Sequence, residues 1–127
     1  MKILLVSHTF LPKYVGGTEV YTSELAQELM ASGHEVEILC TDPLSKEKPY
    51  SLTKRKFKNL AVNVIEKIIL QYSSFEQTYI DNRVDEIFED FINNFKPDII
   101  HYTHLMHLSL NLVSIAASKN IKQVTTL

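Results

Sequence analysis

"KILLVSHTFLPKYVGGTEVYTSELAQELMASGHEVEILC", residues 2 to 40, carries the alternation of elements that decides the fold. Residues 2 to 7, "KILLVS", are a β-prone run without helical period, which predicts a strand buried on both faces. From Thr18 to Ser32 the apolar residues Tyr21, Leu25 and Leu29 recur at every fourth position, flanked by Val20, Ala26 and Met30, while Glu24, Gln27 and Glu28 face elsewhere. That spacing predicts an amphipathic helix, with Thr18 as its N-cap, Glu19 at its positive end and Gly33 as its stop. "EVEILC", residues 35 to 40, then predicts a second strand.

The same alternation continues downstream. Pro43, Pro49 and most of a basic cluster lie between residues 41 and 56, which predicts a loop with weak structure. "LAVNVIE", residues 60 to 66, alternates well enough for a third strand. Val84, Ile87, Phe88, Phe91, Ile92 and Phe95 form the core-facing stripe of a long helix that Pro97 ends. Asp98 after that proline caps or turns the chain. "DIIHYT" predicts a fourth strand, residues 108 to 119 a further helix, and "IKQVTTL" a fifth strand. The pattern predicts one α/β domain over residues 1 to 127: a Rossmann-like, doubly wound, mainly parallel sheet with helices on both faces. The chain stops on a β-prone run without a following helix, which points to a truncated chain.

Only three glycines occur in 127 residues, and Gly16 and Gly17 stand side by side just before the first helix. Two readings are open. The pair forms a tight turn, or it lets an anion approach backbone amides at a helix start. The spacing is neither GxGxxG nor GxxxxGK[ST], so a nicotinamide or ATP site is disfavoured. Ligands of parallel sheets collect at the carboxyl ends of the strands, where this pair meets His101, His104 and His107. Those three histidines straddle a strand and the loop after it, with no accompanying carboxylate, which disfavours a metal site. His104 is the candidate polar contact to a substrate.

The bulk composition excludes several classes. A net charge of −2 gives no reason to expect nucleic acid. Lys46, Lys48, Lys54, Arg55, Lys56 and Lys58 crowd residues 46 to 58, to be read as a solvated loop or as a contact for an anionic lipid or acidic substrate. The single cysteine, Cys40, sits in an apolar run and reads as a small core residue in a reducing compartment. Neither a signal peptide nor a membrane-spanning run is present, which points to the cytoplasm.

Taken together, "FLPKYVGGTEVYTSELAQELMASGHEVEILC" and "KPDIIHYTHLMHLSL" followed by "IKQVTTL" resemble the N-terminal domain of the retaining glycosyltransferases of family 4, which have the GT-B fold. The resemblance covers both ends of the chain and is weak over residues 41 to 80. It implies the acceptor-side half of a GT-B architecture, its C-terminal donor-binding domain absent here. It implies transfer of a hexosyl group from a nucleotide-diphosphate sugar to a glycan, lipid-linked or small-molecule acceptor, without metal or other cofactor. Gly16 and Gly17 would approach the donor diphosphate, while Glu19 and His104 would contact the acceptor. Thr103 stands where the family often has the first of two histidines. No catalytic residue is expected within these residues, so the chain alone should be inactive, and its open final strand should favour self-association. The rival reading is a stand-alone, non-catalytic α/β binding or regulatory module.

Overall fold

The computed structural model describes residues 1–68, 72 and 74–126. β1 (Lys2–Val6) leads through a loop to α1 (Gly17–Ala31), followed by β2 (Glu35–Asp42), β3 (Leu52–Phe57) and β4 (Leu60–Glu66). A 3₁₀ turn at Phe75–Thr78 precedes α2 (Asn82–Phe95), β5 (Ile99–Tyr102), α3 (Asn111–Ser118) and β6 (Lys122–Thr125). Among the described residues the sheet has six strands, in the order β3-β4-β2-β1-β5-β6. Every pairing is parallel except that of β3 with β4. The all-apolar run of β1 is explained by its place: it pairs with β2 on one side and β5 on the other, and both of its faces are covered.

Alternation along β1 splits the core in two. Ile3 and Leu5 join Val36, Ile38, Cys40, Val62, Val64 and Ala26 beneath α1. Leu4 and Val6 join Leu39, Ile100, Tyr102 and the α2 residues Val84, Phe88, Phe91, Ile92 and Phe95 on the opposite face. Burying one aromatic or branched side chain contributes about 1.5–3 kcal/mol, so the α2 stripe anchors that layer. Cys40 is a buried core residue, and burial pushes its thiol up to about 12.

Two helix ends follow simple chemistry. Gly33 takes φ +93, and the bonds Gly33 N–H to Met30 O and His34 N–H to Leu29 O close α1 with a Schellman motif. α2 stops when Lys96 turns left-handed at φ 53, one residue before Pro97. Asp98 ties the strand end to β1: its carboxylate accepts from the Lys2 amide at 2.8 Å.

Four expectations need correction. The stretch 41–56 is not a weak loop, because β2 runs on to Asp42 and Leu52–Phe57 forms the antiparallel edge strand β3. Lys58 and Asn59, at φ 50 and 64, make the tight turn into β4 that two consecutive left-handed residues allow. The lysines on this edge discourage pairing with another chain. The N-cap of α1 is Gly16, not Thr18. The buried face of α1 is Glu19, Thr22, Ser23 and Ala26, whereas Val20 and Tyr21 are exposed and Leu25, Leu29 and Met30 only partly covered. Small side chains let this helix lie close to the sheet, and the Thr22 hydroxyl needs a partner there. α3 is also shorter than expected, and the final residue of the expected fifth strand, Leu127, lies outside the described residues.

Candidate functional site

The carboxyl ends of β1 and β5 lie side by side at the start of α1, and the candidate residues gather at that point. Gly16 has φ −157 and ψ 179, an extended conformation open to any residue, so backbone freedom does not explain it. Its missing side chain does: a Cβ there would stand 2.6 Å from Glu19 Oε2. Gly17 differs, because a Cβ on it would meet nothing within 4 Å. Among the described residues no side chain caps the helix start. The amides of Gly17, Thr18 and Glu19, which have no acceptor within a helix, therefore face outward at its positive end.

Glu19 is only 5% exposed. Its Oε1 accepts from the Thr9 hydroxyl at 3.1 Å and lies 3.5 Å from His8 Nε2. The His8 ring in turn packs on the His104 ring with centroids 4.4 Å apart. His8 thus joins Glu19 to His104, two residues 85 positions apart in the chain that sequence reading had singled out separately. Burial lowers the His8 pKa, His104 lowers it further, and Glu19 opposes both. His104 is exposed, and its Nδ1 accepts from the Met106 amide at 3.1 Å. In the neutral ring this leaves Nε2 as the N–H donor.

Thr103 is buried, and its hydroxyl lies 2.9 Å from that of Thr22 and 3.2 Å from the Val6 carbonyl, which it can donate to. This position fastens α1 to β1 and β5. The other two histidines of the run go elsewhere. His101 Nε2 meets the Thr126 hydroxyl at 2.6 Å, and His107 Nδ1 meets the Tyr72 hydroxyl at 3.2 Å. Among the described residues no group of three or more His, Cys, Asp or Glu is arranged to hold a metal ion.

A second polar cluster, which sequence reading missed, lies at the ends of β4 and α2. Lys67 has no exposed side-chain surface; its Nζ lies 3.1 Å from Asp81 Oδ2 and donates to the His107 carbonyl at 2.6 Å. Asp81 caps α2, its Oδ1 accepting from the amides of Arg83 and Val84. Its Oδ2 also accepts from the Tyr50 hydroxyl at 2.6 Å. Burial, then the bond to Asp81, pushes the Tyr50 phenol up to about 12. Lys67 also sits 4.8 Å from the Tyr72 ring centre. The cluster holds His107 in its left-handed conformation, φ 63, and with it the loop that carries His104.

Comparison with known proteins places this geometry in a lineage. The model of Glycosyltransferase Family 4 matches residues 15–127. The chain belongs to that family. An uncharacterized 42.6 kDa protein in the cps region of Klebsiella pneumoniae is 28% identical over 128 residues, which cover 86% of this chain and 31% of that protein. Sucrose-phosphate synthase from Thermosynechococcus elongatus superposes with a TM-score of 0.62 at 15% identity, over 98% of this chain and 31% of its own. The UDP-GlcNAc 2-epimerase of Methanocaldococcus jannaschii gives 0.60 at 14% identity, over 99% and 31%. The catalytic domain of starch synthase IV from Arabidopsis thaliana, bound to ADP and acarbose, gives 0.54 at 18%, over 83% and 28%. The fold is therefore the Rossmann-like half of a GT-B architecture, and this family 4 chain spans about a third of the length of the relatives it matches. An epimerase shares the fold with two synthases, so the fold alone does not name a reaction.

Proposed function

We propose that this chain is the N-terminal, acceptor-side domain of a retaining, metal-independent glycosyltransferase that moves a hexosyl group from a nucleotide-diphosphate sugar to a glycan, lipid-linked or small-molecule acceptor. The observation that carries this reading is the uncapped start of α1 at Gly17, where nothing within the described residues occupies the space a side chain would take. Gly16 lacks a side chain for an internal reason. Gly17 has none, which favours a ligand in front of it.

In the intact enzyme the Gly16–Gly17 turn brings the donor diphosphate against the outward amides of Gly17, Thr18 and Glu19, which stabilise negative charge on it as it departs, an electrostatic role at a helix N-terminus. His104 offers its Nε2–H to an acceptor hydroxyl, while Glu19, held by Thr9, orients His8 against it. A second domain completes the donor site, so these residues alone transfer nothing. The enzyme works at the cytoplasmic face of a membrane, and the exposed Lys46, Lys48, Lys54, Lys56 and Lys58 support contact with anionic lipid. No helix among the described residues is long and apolar enough to cross a membrane.

The test is Gly17→Val in the full-length enzyme. Turnover should fall by about two to three orders of magnitude, the usual loss when one stabilising contact to developing charge is removed. The circular dichroism spectrum and melting temperature should hardly change. An unchanged rate would sink the phosphate role.

A further inference from the structure

A cavity of about 280 Å³ opens on the same sheet edge, on the α1 side, beneath residues 10 to 14. Phe10, Tyr14 and Val64 make its apolar wall; Asp42, Arg55 and Glu66 make its polar one. Asp42 and Glu66 are register partners on adjacent strands, yet their surroundings differ. Asp42 accepts from Lys13 at 2.7 Å, from the Tyr14 hydroxyl at 2.5 Å and from the Leu44 amide at 3.1 Å. Glu66 is only 5% exposed, and among the described residues no hydrogen bond or ion pair reaches its carboxylate. Among the described residues Arg55 donates once, to the Leu11 carbonyl at 2.8 Å, which leaves most of its guanidinium donors for another acceptor. Among the described residues the Glu66 oxygens are not sealed from solvent, so they stay accessible from the cavity they line, and a donor that arrives from outside can reach them.

We propose that this cavity is a subsite for a neutral, hydroxyl-bearing ring, namely a glycosyl unit of the acceptor; this rests on the glycosyl-transfer reading above. The charges select the ligand. A cation would meet Lys13 and Arg55, and an anion would meet Asp42 and Glu66, so each net charge encounters repulsion. Hydroxyl groups donate to Glu66 and accept from Arg55 with no such conflict. Phe10, Tyr14 and Val64 supply apolar lining for the C–H side of a sugar, and the volume sits at the small end of ligand pockets, the size of one ring rather than a chain. The loop that roofs the cavity runs directly into Gly16 and Gly17, which puts the subsite next to the donor contact.

The experiment uses the full-length protein and the methyl glycosides of glucose, galactose, mannose and N-acetylglucosamine as probes, read by saturation-transfer NMR. Binding of uridine and guanosine diphosphate sugars is measured by calorimetry on the same preparation. At least one glycoside should bind, and Glu66→Gln should weaken it about tenfold or more, the effect of losing a hydrogen bond to a charged group. Arg55→Met gives a second, independent loss. Absence of binding by all four glycosides, or equal binding by both variants, overturns the subsite. Glycoside binding without nucleotide-sugar binding would instead leave the subsite standing and break the glycosyl-transfer reading.

Discussion

At the ends of β4 and α2 the polar atoms of Lys67 and Asp81 are all engaged inside the protein, whereas at the ends of β1 and β5 they are left over. Lys67 has Asp81, the His107 carbonyl and the Tyr72 ring; Asp81 has two amides, a phenol and the ammonium. A few residues away along the same edge, the buried Nδ1 of His8 has no partner among the described residues, and the first turn of α1 has no cap. Both clusters are polar and both lie where a parallel sheet collects ligands. The difference teaches that position on the edge is not enough. A closed network specifies structure, and an unfinished one leaves its remaining valences to a ligand.

The sharpest way to break this comparison is to open the closed cluster. Lys67→Met leaves Asp81 buried beside Tyr50 with its counter-charge removed, and also frees the His107 carbonyl. Breaking one side of a buried pair costs about 3–5 kcal/mol, so urea denaturation should show a loss of that size. A loss below about 1 kcal/mol would mean that the cluster is as unfinished as its neighbour.

An intermediate effect is expected at Gly16. Gly16→Ala places a methyl group 2.6 Å from Glu19 Oε2, and the carboxylate cannot swing away without leaving Thr9 and His8. Overpacking of this kind costs typically 1–3 kcal/mol. Chemical denaturation measures the loss, and Gly16→Ala combined with Glu19→Ala should recover much of it. No recovery would show that the clash is not with Glu19.

How much of this was legible in the chain depends on which force shaped each part. Residues 2 to 40 and the α2 stripe could be read because burial writes itself as periodicity. β3 could not, because Lys54, Arg55 and Lys56 on an edge strand carry no apolar alternation; only Asn59 in the tight turn hinted at a hairpin. The true inner face of α1 was hidden for a related reason: Thr22, Ser23 and Ala26 are small or polar, so the larger Tyr21 drew the eye outward. Gly16, Gly17, Glu19 and His104 stood out by type and place, and the structure brings Gly16, Glu19 and His104 into one chain of contacts. The link between them, His8, lies two residues past the end of β1 and belongs to no motif, so only its position near the strand end could have marked it. Lys67 and Asp81 are 14 residues apart with nothing in their spacing to pair them. They meet because β4 ends beside the point where α2 begins.

A smaller effect follows from the histidines. Burial lowers the pKa of His8, His101 and His107 below the usual value near 6.5. Between the folded and unfolded values the unfolded chain binds more protons, so stability rises with pH through that window. The full contribution is present above about pH 6.5 and is lost as pH falls through the lowered folded values. Each ring is partly exposed, which weakens the effect by solvent screening. Melting temperature should therefore drop by a few degrees from neutral to mildly acidic buffer, and His8→Phe should flatten the slope. A melting temperature that rises on acidification would reverse the sign and imply a charged, stabilised His8 paired with Glu19.

The smallest expected change in stability is also the one that best separates the two glycines. Gly17→Ala adds a methyl group where the structure has open space, at a helical position whose φ suits any residue. The substitution also lowers the entropy of the unfolded chain, so stability should stay level or rise by about 0.4–1 kcal/mol. Its neighbour, one residue earlier, should lose stability from the same methyl group. In the full-length enzyme the order should invert at the level of donor binding: Gly17→Ala crowds the approach to the helix amides and raises the dissociation constant of the nucleotide-sugar, with a further rise for Gly17→Val. Calorimetric titration of the three proteins gives the series. A flat series would mean that the open space at Gly17 faces solvent alone, and that the second glycine of the pair serves neither the fold nor the donor.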